Sequence, residues 1–129
     1  RKTPVELRGK NPVALFFETP YCSGCDELHR DGLKRAEIGK LLQRFDVYRL
    51  TLGDRRAAEL GIAYTPSIVL FDGGKEAFRI EAYVRPFHLA GALDYVASGA
   101  YRKEPSFQRF LQARAERLRE QGRNVDLWK

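Results

Sequence analysis

The stretch of this 129-residue chain best equipped for chemistry is Thr19-Pro20-Tyr21-Cys22-Ser23-Gly24-Cys25-Asp26, which holds both of its cysteines in a Cys-x-x-Cys spacing. An apolar run, Val13-Ala14-Leu15-Phe16-Phe17, precedes it, and Asp26-Glu27-Leu28-His29-Arg30 follows. The first reads as a buried strand by its length and bulk, the second as a helix. Cys22 is therefore expected where a strand gives way to a helix. A helix start presents free backbone N–H groups and a partial positive charge, and both favour a thiolate. Such a position can lower a cysteine pKa from about 8.5 into the range of roughly 3.5–7.5. Two thiols so spaced can close into a small disulfide and reopen. The chemistry that follows is thiol–disulfide exchange. Cys22, nearer the helix start, attacks a substrate disulfide; Cys25, one turn in, then attacks Cys22 and releases the reduced substrate.

Other uses of the pair fit less well. A permanent bridge over so short a loop removes little chain entropy, so stabilisation is a poor reason for it. Cys22, Cys25 and His29 also spell Cys-x-x-Cys-x-x-x-His, but a structural zinc site wants four ligands and the only other histidine is His88. No metal is assigned, and His29 reads as an exposed helix residue. Haem attachment is excluded because Asp26, not histidine, follows the second cysteine. The chemistry needs no cofactor. A non-catalytic adaptor and a metal-binding carrier stand as the alternatives from other classes.

The elements that must hold the pair are readable in order. Arg1 to Lys10 is a polar, loose lead-in, and Asn11-Pro12 turns into a strand from Val13 to Glu18. A helix is expected over Ser23–Lys34, with Cys25, Leu28, Gly32 and Leu33 on one face, and another over Ala36–Phe45. Val47–Leu52 alternates as a second strand. Asp54 suits the N-cap of a short helix that Gly61 ends. A third strand spans Ser67–Asp72, Gly73-Gly74 makes a turn, and a fourth strand covers Glu76–Tyr83. Pro86 opens a helix that ends near Ser98-Gly99. Pro105 opens the last, which runs to Gln121 and is closed by Gly122, with Phe107, Phe110, Leu111, Ala115 and Leu118 on one face. Val125-Asp126-Leu127-Trp128 is expected to tuck back on the body. Strands separated by helices imply parallel pairing, and the Gly-Gly hairpin implies an antiparallel pair, so the class is α/β with a mixed sheet.

Composition limits the alternatives. The hydrophobic share of 43% is ordinary for a globular protein. No run approaches the roughly 18–20 apolar residues of a membrane span. The net charge of +6, from 23 Lys and Arg against 17 Asp and Glu, is not concentrated in any block, and nucleic-acid binding is not expected. Two cysteines and no methionine exclude a disulfide-dense scaffold and a Met-rich copper carrier. Without repeats, low-complexity segments or linkers, residues 1–129 read as one domain, with a core over 11–99 and a helical extension over 100–129. The chain opens at Arg1 rather than Met, as expected of a processed form, which leaves a removed export signal open.

From about Asn11 to Ala97 the chain resembles thioredoxin-fold proteins. The resemblance rests on three landmarks in order: the strand leading to Cys22-Ser23-Gly24-Cys25, then Leu60-Gly61-Ile62-Ala63-Tyr64-Thr65-Pro66-Ser67, then Ile68-Val69-Leu70-Phe71-Asp72-Gly73-Gly74-Lys75. It implies a thioredoxin-like fold, a central four-stranded mixed sheet flanked by helices, with Pro66 in cis facing the cysteines. It implies contacts to an extended substrate segment from Tyr21, Ser23, Gly24, Thr65 and Pro66. The implied partners are protein substrates with cysteine pairs and an upstream redox protein that recharges the site; the chain itself is expected to be a monomer. The ending, Ala82-Tyr83-Val84-Arg85-Pro86-Phe87-His88 and Pro105-Ser106-Phe107-Gln108-Arg109, is similar to exported bacterial thioredoxin-related proteins of the sulfur-oxidation type. That narrower resemblance implies a periplasmic reductase. The sequence also departs from common thioredoxins. Tyr21 stands where they have Trp, Ser23-Gly24 where they have Gly-Pro, and Phe16 where they bury an Asp. By strand parity Glu18 shares the face of Phe16, one step nearer the cysteines, which makes it the candidate proton relay for Cys25.

Overall fold

The structure is a computed structural model and describes residues 5–122. Its four strands are β1 (Val13–Glu18), β2 (Asp46–Thr51), β3 (Ser67–Asp72) and β4 (Lys75–Ile80). They form one sheet in the order β2-β1-β3-β4. The two central strands carry the near-continuous apolar runs and are buried along almost their whole length, as residues covered on both faces must be. One face of β1 and β3, through Ala14, Phe16, Ile68 and Leu70, packs against Leu28, Ile38, Leu89, Leu93 and Val96. The other, through Val13, Leu15, Phe17, Val69 and Phe71, packs against Leu50, Ala57 and Ile62. The helices that supply these layers are α1 (Ser23–Glu27), α2 (Ala36–Leu42), α3 (Arg55–Glu59), α4 (Pro86–Ala97) and α5 (Phe107–Glu120).

Pairing differs from the sequence reading at one strand. β1 and β2 are parallel, Glu18 opposite Thr51, but β3 is antiparallel to β1, with Phe17 opposite Ser67. The connection from β2 to β3 therefore starts and finishes at the same end of the sheet. Its only helix, α3, has five residues. At about 1.5 Å per residue it does not span a six-residue strand of about 20 Å, and the chain stays at this end of the sheet. This short return is what brings Thr65 and Pro66 beside the end of β1. The hairpin from β3 to β4 is antiparallel, and Gly73 and Gly74 both have positive φ, at 63° and 85°.

Other boundaries shift for local reasons. The helix expected over Ser23–Lys34 is α-helical only to Glu27; a π-helical turn, Leu28–Gly32, completes it, with the Leu33 N–H donating to the Leu28 carbonyl at 2.8 Å. α2 ends at Leu42, and Phe45 is buried from the turn beyond it. β2 is displaced by one residue from the expected Val47–Leu52. β4 stops at Ile80 rather than Tyr83. The last helix starts at Phe107 rather than Pro105, capped by Ser106, whose Oγ accepts from the Arg109 N–H at 3.2 Å. The lead-in is not loose throughout, because Val5 and Leu7 pack on the α3 side of the sheet. The segment Val125-Asp126-Leu127-Trp128 lies outside the described residues.

α5 sits directly on α4. A Cβ built on Gly91 would stand 2.5 Å from Leu111 Cδ1, so the glycine permits the close approach of the two helices. Phe78 of β4, Tyr95 of α4 and Phe107 and Phe110 of α5 form a ring cluster, with centroids 4.6 Å apart for Phe78–Phe107 and 4.9 Å for Tyr95–Phe110.

Candidate active site

The apolar drive that buries β1 leaves its last residue, Glu18, at the sheet end, and Thr19 to Tyr21 turn the chain into α1. Cys22 is the N-cap of that helix, in extended conformation at φ −107° and ψ 107°. Its sulfur accepts the Cys25 N–H at 3.0 Å, and its carbonyl accepts the Asp26 N–H at 3.0 Å. The free donors of the first turn thus converge on Cys22. Cys22 and Cys25 are joined as a disulfide with Cα atoms 5.2 Å apart. Cys22 is partly exposed, whereas Cys25 is buried, at 3% exposure. The two sulfurs thus differ in their access to solvent.

Two further segments meet the pair. The Thr65 hydroxyl lies 3.5 Å from Cys22 Sγ and 2.8 Å from the Thr19 hydroxyl. With Thr19 donating to Thr65, the Thr65 proton is free for the sulfur. The Thr65–Pro66 peptide bond is cis. Ser67, fully buried, donates to the Tyr64 carbonyl at 2.6 Å and ties down this turn. Pro66 rests on the cysteine loop: a Cβ on Gly24 would come within 2.9 Å of Pro66 Cδ and 3.3 Å of Tyr83 Cβ. Gly24 is thus required by close contact. Burial, helped by the carboxylates of Asp31 and Glu27, pushes the Tyr83 phenol above its ordinary value, so it stays neutral beside the loop.

Tyr21 has φ 57°, the only positive φ outside glycine among the described residues, and its side chain is fully exposed. Tyr64, on the turn before Pro66, is also exposed, at 67%. A bulky side chain in the left-handed region without packing in return is unusual and clusters at functional sites. Ser23 is exposed beside it.

Glu18 lines a cleft of about 250 Å³ with Thr19, Pro20, Arg49, Leu50 and Thr51. His29 is not the free surface residue the sequence suggested. It is partly buried, and its Nε2 lies 2.5 Å from Glu18 Oε1. The other carboxylate oxygen, Oε2, is buried without a hydrogen-bond partner. Of the residues singled out from the sequence, the structure brings Thr65 and Pro66 to the cysteine loop and sets Glu18 against His29; the Thr19 bond to Thr65 and the bond to His29 were not foreseen. The signal for His29 was present as its i, i+4 spacing from Cys25; nothing in the sequence paired it with Glu18. Among the described residues no three His, Cys, Asp or Glu side chains gather into a metal-binding group.

A mixed four-stranded sheet with helices on both faces and a cysteine pair at the first helix start defines the thioredoxin fold. A family model described as a thioredoxin-like domain matches residues 4–97, and the chain belongs to that family. Among solved structures, a thioredoxin-fold protein from Helicobacter pylori aligns with a TM-score of 0.71 at 20% identity, over 81% of each chain. A thioredoxin from Thermus thermophilus aligns at 0.64 and 21% identity, over 73% of this chain and 80% of its own. The reduced form of the periplasmic thioredoxin SoxS from Paracoccus pantotrophus aligns at 0.56 and 22% identity, over 70% and 99%. No curated protein matches. None of the described helices is long and apolar enough to cross a membrane.

Proposed function

We propose that the protein is a thiol–disulfide oxidoreductase that exchanges its Cys22–Cys25 dithiol with disulfides of protein substrates, acting as a reductase in the periplasm. The observation that carries the reading is the asymmetry of the pair: a partly exposed, N-capping Cys22 bridged to a buried Cys25. Cys22 attacks a substrate disulfide, a mixed disulfide forms, and Cys25 displaces the substrate thiolate. The backbone at Thr65 and Pro66, with Tyr21, Ser23 and Gly24, receives an extended substrate segment beside Cys22. Glu18 is the proton acceptor for Cys25. An upstream redox protein restores the dithiol, and the working unit is a monomer. The seating of Leu111 on Gly91 favours one folding unit over 1–129, with the helical extension as part of it. The periplasmic assignment is supported by the structural likeness to the periplasmic thioredoxin SoxS and by the resemblance, in sequence, of the chain's ending to exported thioredoxin-related proteins. Reduction of insulin, followed as precipitation in the presence of dithiothreitol, tests the activity. A rate no greater than dithiothreitol alone removes the oxidoreductase reading. Osmotic release of the tagged, full-length gene product from cells tests the location.

A further inference from the structure

The pairing of Glu18 with His29 has no counterpart in the role proposed for Glu18 alone, and its construction is specific. Glu18 ends β1, four positions before Cys22. His29 stands one helical turn beyond Cys25 and falls within the π-turn Leu28–Gly32. Its Nε2–H donates to Glu18 Oε1 at 2.5 Å. The carboxylate is thereby held by one oxygen, and Oε2 is left buried with no donor. As a stabilising device this is poor. Partly exposed ion pairs contribute little, and a buried acceptor without a partner is costly. As an acceptor for a proton it is well suited, because no donor competes for the oxygen that must receive it.

We propose that His29 is a positioning residue for the resolving step: it orients Glu18 so that Oε2 takes the proton of the Cys25 thiol. The inference rests on the oxidoreductase reading and adds a second member to the proton acceptor. In the mixed disulfide, Cys25 loses its S–H proton to Oε2, and its sulfur forms the bond to Cys22 Sγ. The Cys22–substrate sulfur bond breaks, and the electron pair leaves with the substrate thiolate, which takes up a proton. The dithiol is oxidised and the substrate disulfide reduced, by two electrons each. Glu18 returns its proton to solvent through the cleft that it lines.

The other charged groups nearby are few or engaged. Arg49 of β2 lines the same cleft. On the helix that carries His29, Glu27 is bonded to Arg30 and Asp31 to Arg35, while Asp26 is exposed. Arg49 is thus the cation to control for.

The reduced full chain mixed with the aromatic disulfide DTNB gives a test that separates the two cysteines. The first release of thionitrobenzoate reports attack by Cys22, and the second reports attack by Cys25 on the mixed disulfide. The ratio of second to first rate, taken from pH 5 to 9, is the readout. General-base catalysis is typically worth 10²–10⁴-fold, so Glu18→Gln should lower that ratio by on the order of 100-fold and flatten its pH profile. His29→Gln should lower it by on the order of tenfold and displace the profile, and the double variant should resemble Glu18→Gln alone, because His29 acts through Glu18. Arg49→Gln should leave the profile in place. If His29→Gln keeps the wild-type ratio and profile, the inference is overturned whatever its melting temperature, and this variant decides the matter even should Glu18→Gln fail to fold. A wild-type chain that gives no second release sinks the oxidoreductase reading instead.

Discussion

The corner where α5 meets α4 and the end where β1 meets α1 are built on different terms. At the corner, Phe78, Tyr95, Phe107 and Phe110 pack ring against ring, and Leu111 fills the space left by Gly91. Its phenols are satisfied: Tyr95 donates to the Glu104 carbonyl, and Tyr101 to Asp72 at 2.6 Å. At the cysteine end, Tyr21 is exposed in a left-handed conformation, and Glu18 buries an oxygen without a partner. Each place leaves one buried polar atom unpaired, Glu18 Oε2 here and Arg114 Nη1 at the corner, but only the cysteine end adds a bulky residue whose backbone conflicts with its own conformational preference. Such conflict is expected where a chain has to do chemistry as well as fold.

The strongest way to break this contrast is to remove the sulfurs. Cys22→Ser should abolish insulin reduction and trap almost no partner. Cys25→Ser should keep the attack and accumulate mixed disulfides, visible on non-reducing gels. Equal trapping by the two variants would reverse the assignment of nucleophile. Both proteins should remain folded, since a bridge closing so short a loop contributes little.

The corner should respond in the opposite sense. Leu111→Ala should lower unfolding free energy by about 2–5 kcal/mol in urea titrations while leaving insulin reduction per folded molecule near wild type. Gly91→Ala forces Leu111 aside and should cost about 1–3 kcal/mol by the same measurement. Unchanged stability with lost partner binding would instead make α5 a docking element.

Asp54 is a stabilising exception on the chain's way from β2 to the Thr65 turn. Its carboxylate caps α3 by accepting the Arg56 N–H at 2.9 Å and pairs with the Arg56 guanidinium at 2.7 Å. The side-chain bond from Arg56, then the backbone bond, hold the Asp54 carboxyl well below the usual carboxylate range. The folded state therefore favours its ionised form. The resulting stability is complete above the unfolded carboxylate value of 3.8 and is lost as pH falls from there through the lower folded value. Asp54→Ala should cost about 1 kcal/mol at neutral pH, and the difference from wild type should shrink in acid. A constant difference down to pH 2 would contradict this.

The smallest expected effect is at Tyr21. A glycine there relieves a left-handed backbone but also gains freedom when unfolded, so Tyr21→Gly should raise stability by less than about 1 kcal/mol. Insulin reduction should fall, because the exposed ring is removed from the face proposed to receive substrate. A stability loss in thermal melts would mean that Tyr21 packs rather than waits for a partner.

Periodicity and punctuation make most elements readable in the sequence. The apolar runs at Val13–Phe17 and Ile68–Phe71 mark central strands because both faces of each are covered. Gly73-Gly74 marks the hairpin because both residues need positive φ. Pro86 marks a helix start by the N–H it lacks, whereas the last helix, expected from Pro105, begins only at Phe107 behind its Ser106 cap. Boundaries slipped where tertiary contacts outweighed local preference: Phe45 is buried without being helical, and a π-turn interrupts an apolar face that reads as one continuous α-helix.

What the chain of residues determined by itself was the chemistry: two cysteines at the start of a helix, Cys22 ahead of Cys25, with an X-Pro bond placed before an apolar strand. These are local properties, set by spacing and by the few conformations available to each residue type. The tertiary structure alone decided that β3 runs against β1, because a strand's direction is set by the neighbours it pairs with and packs against. That decision brings Thr65 within 3.5 Å of Cys22 Sγ and Pro66 against Gly24. Packing likewise brought His29 to Glu18, across eleven residues of sequence, at 2.5 Å. Neither residue's type names the other; only the close packing of the helix that follows Cys22 against the end of β1 makes them partners.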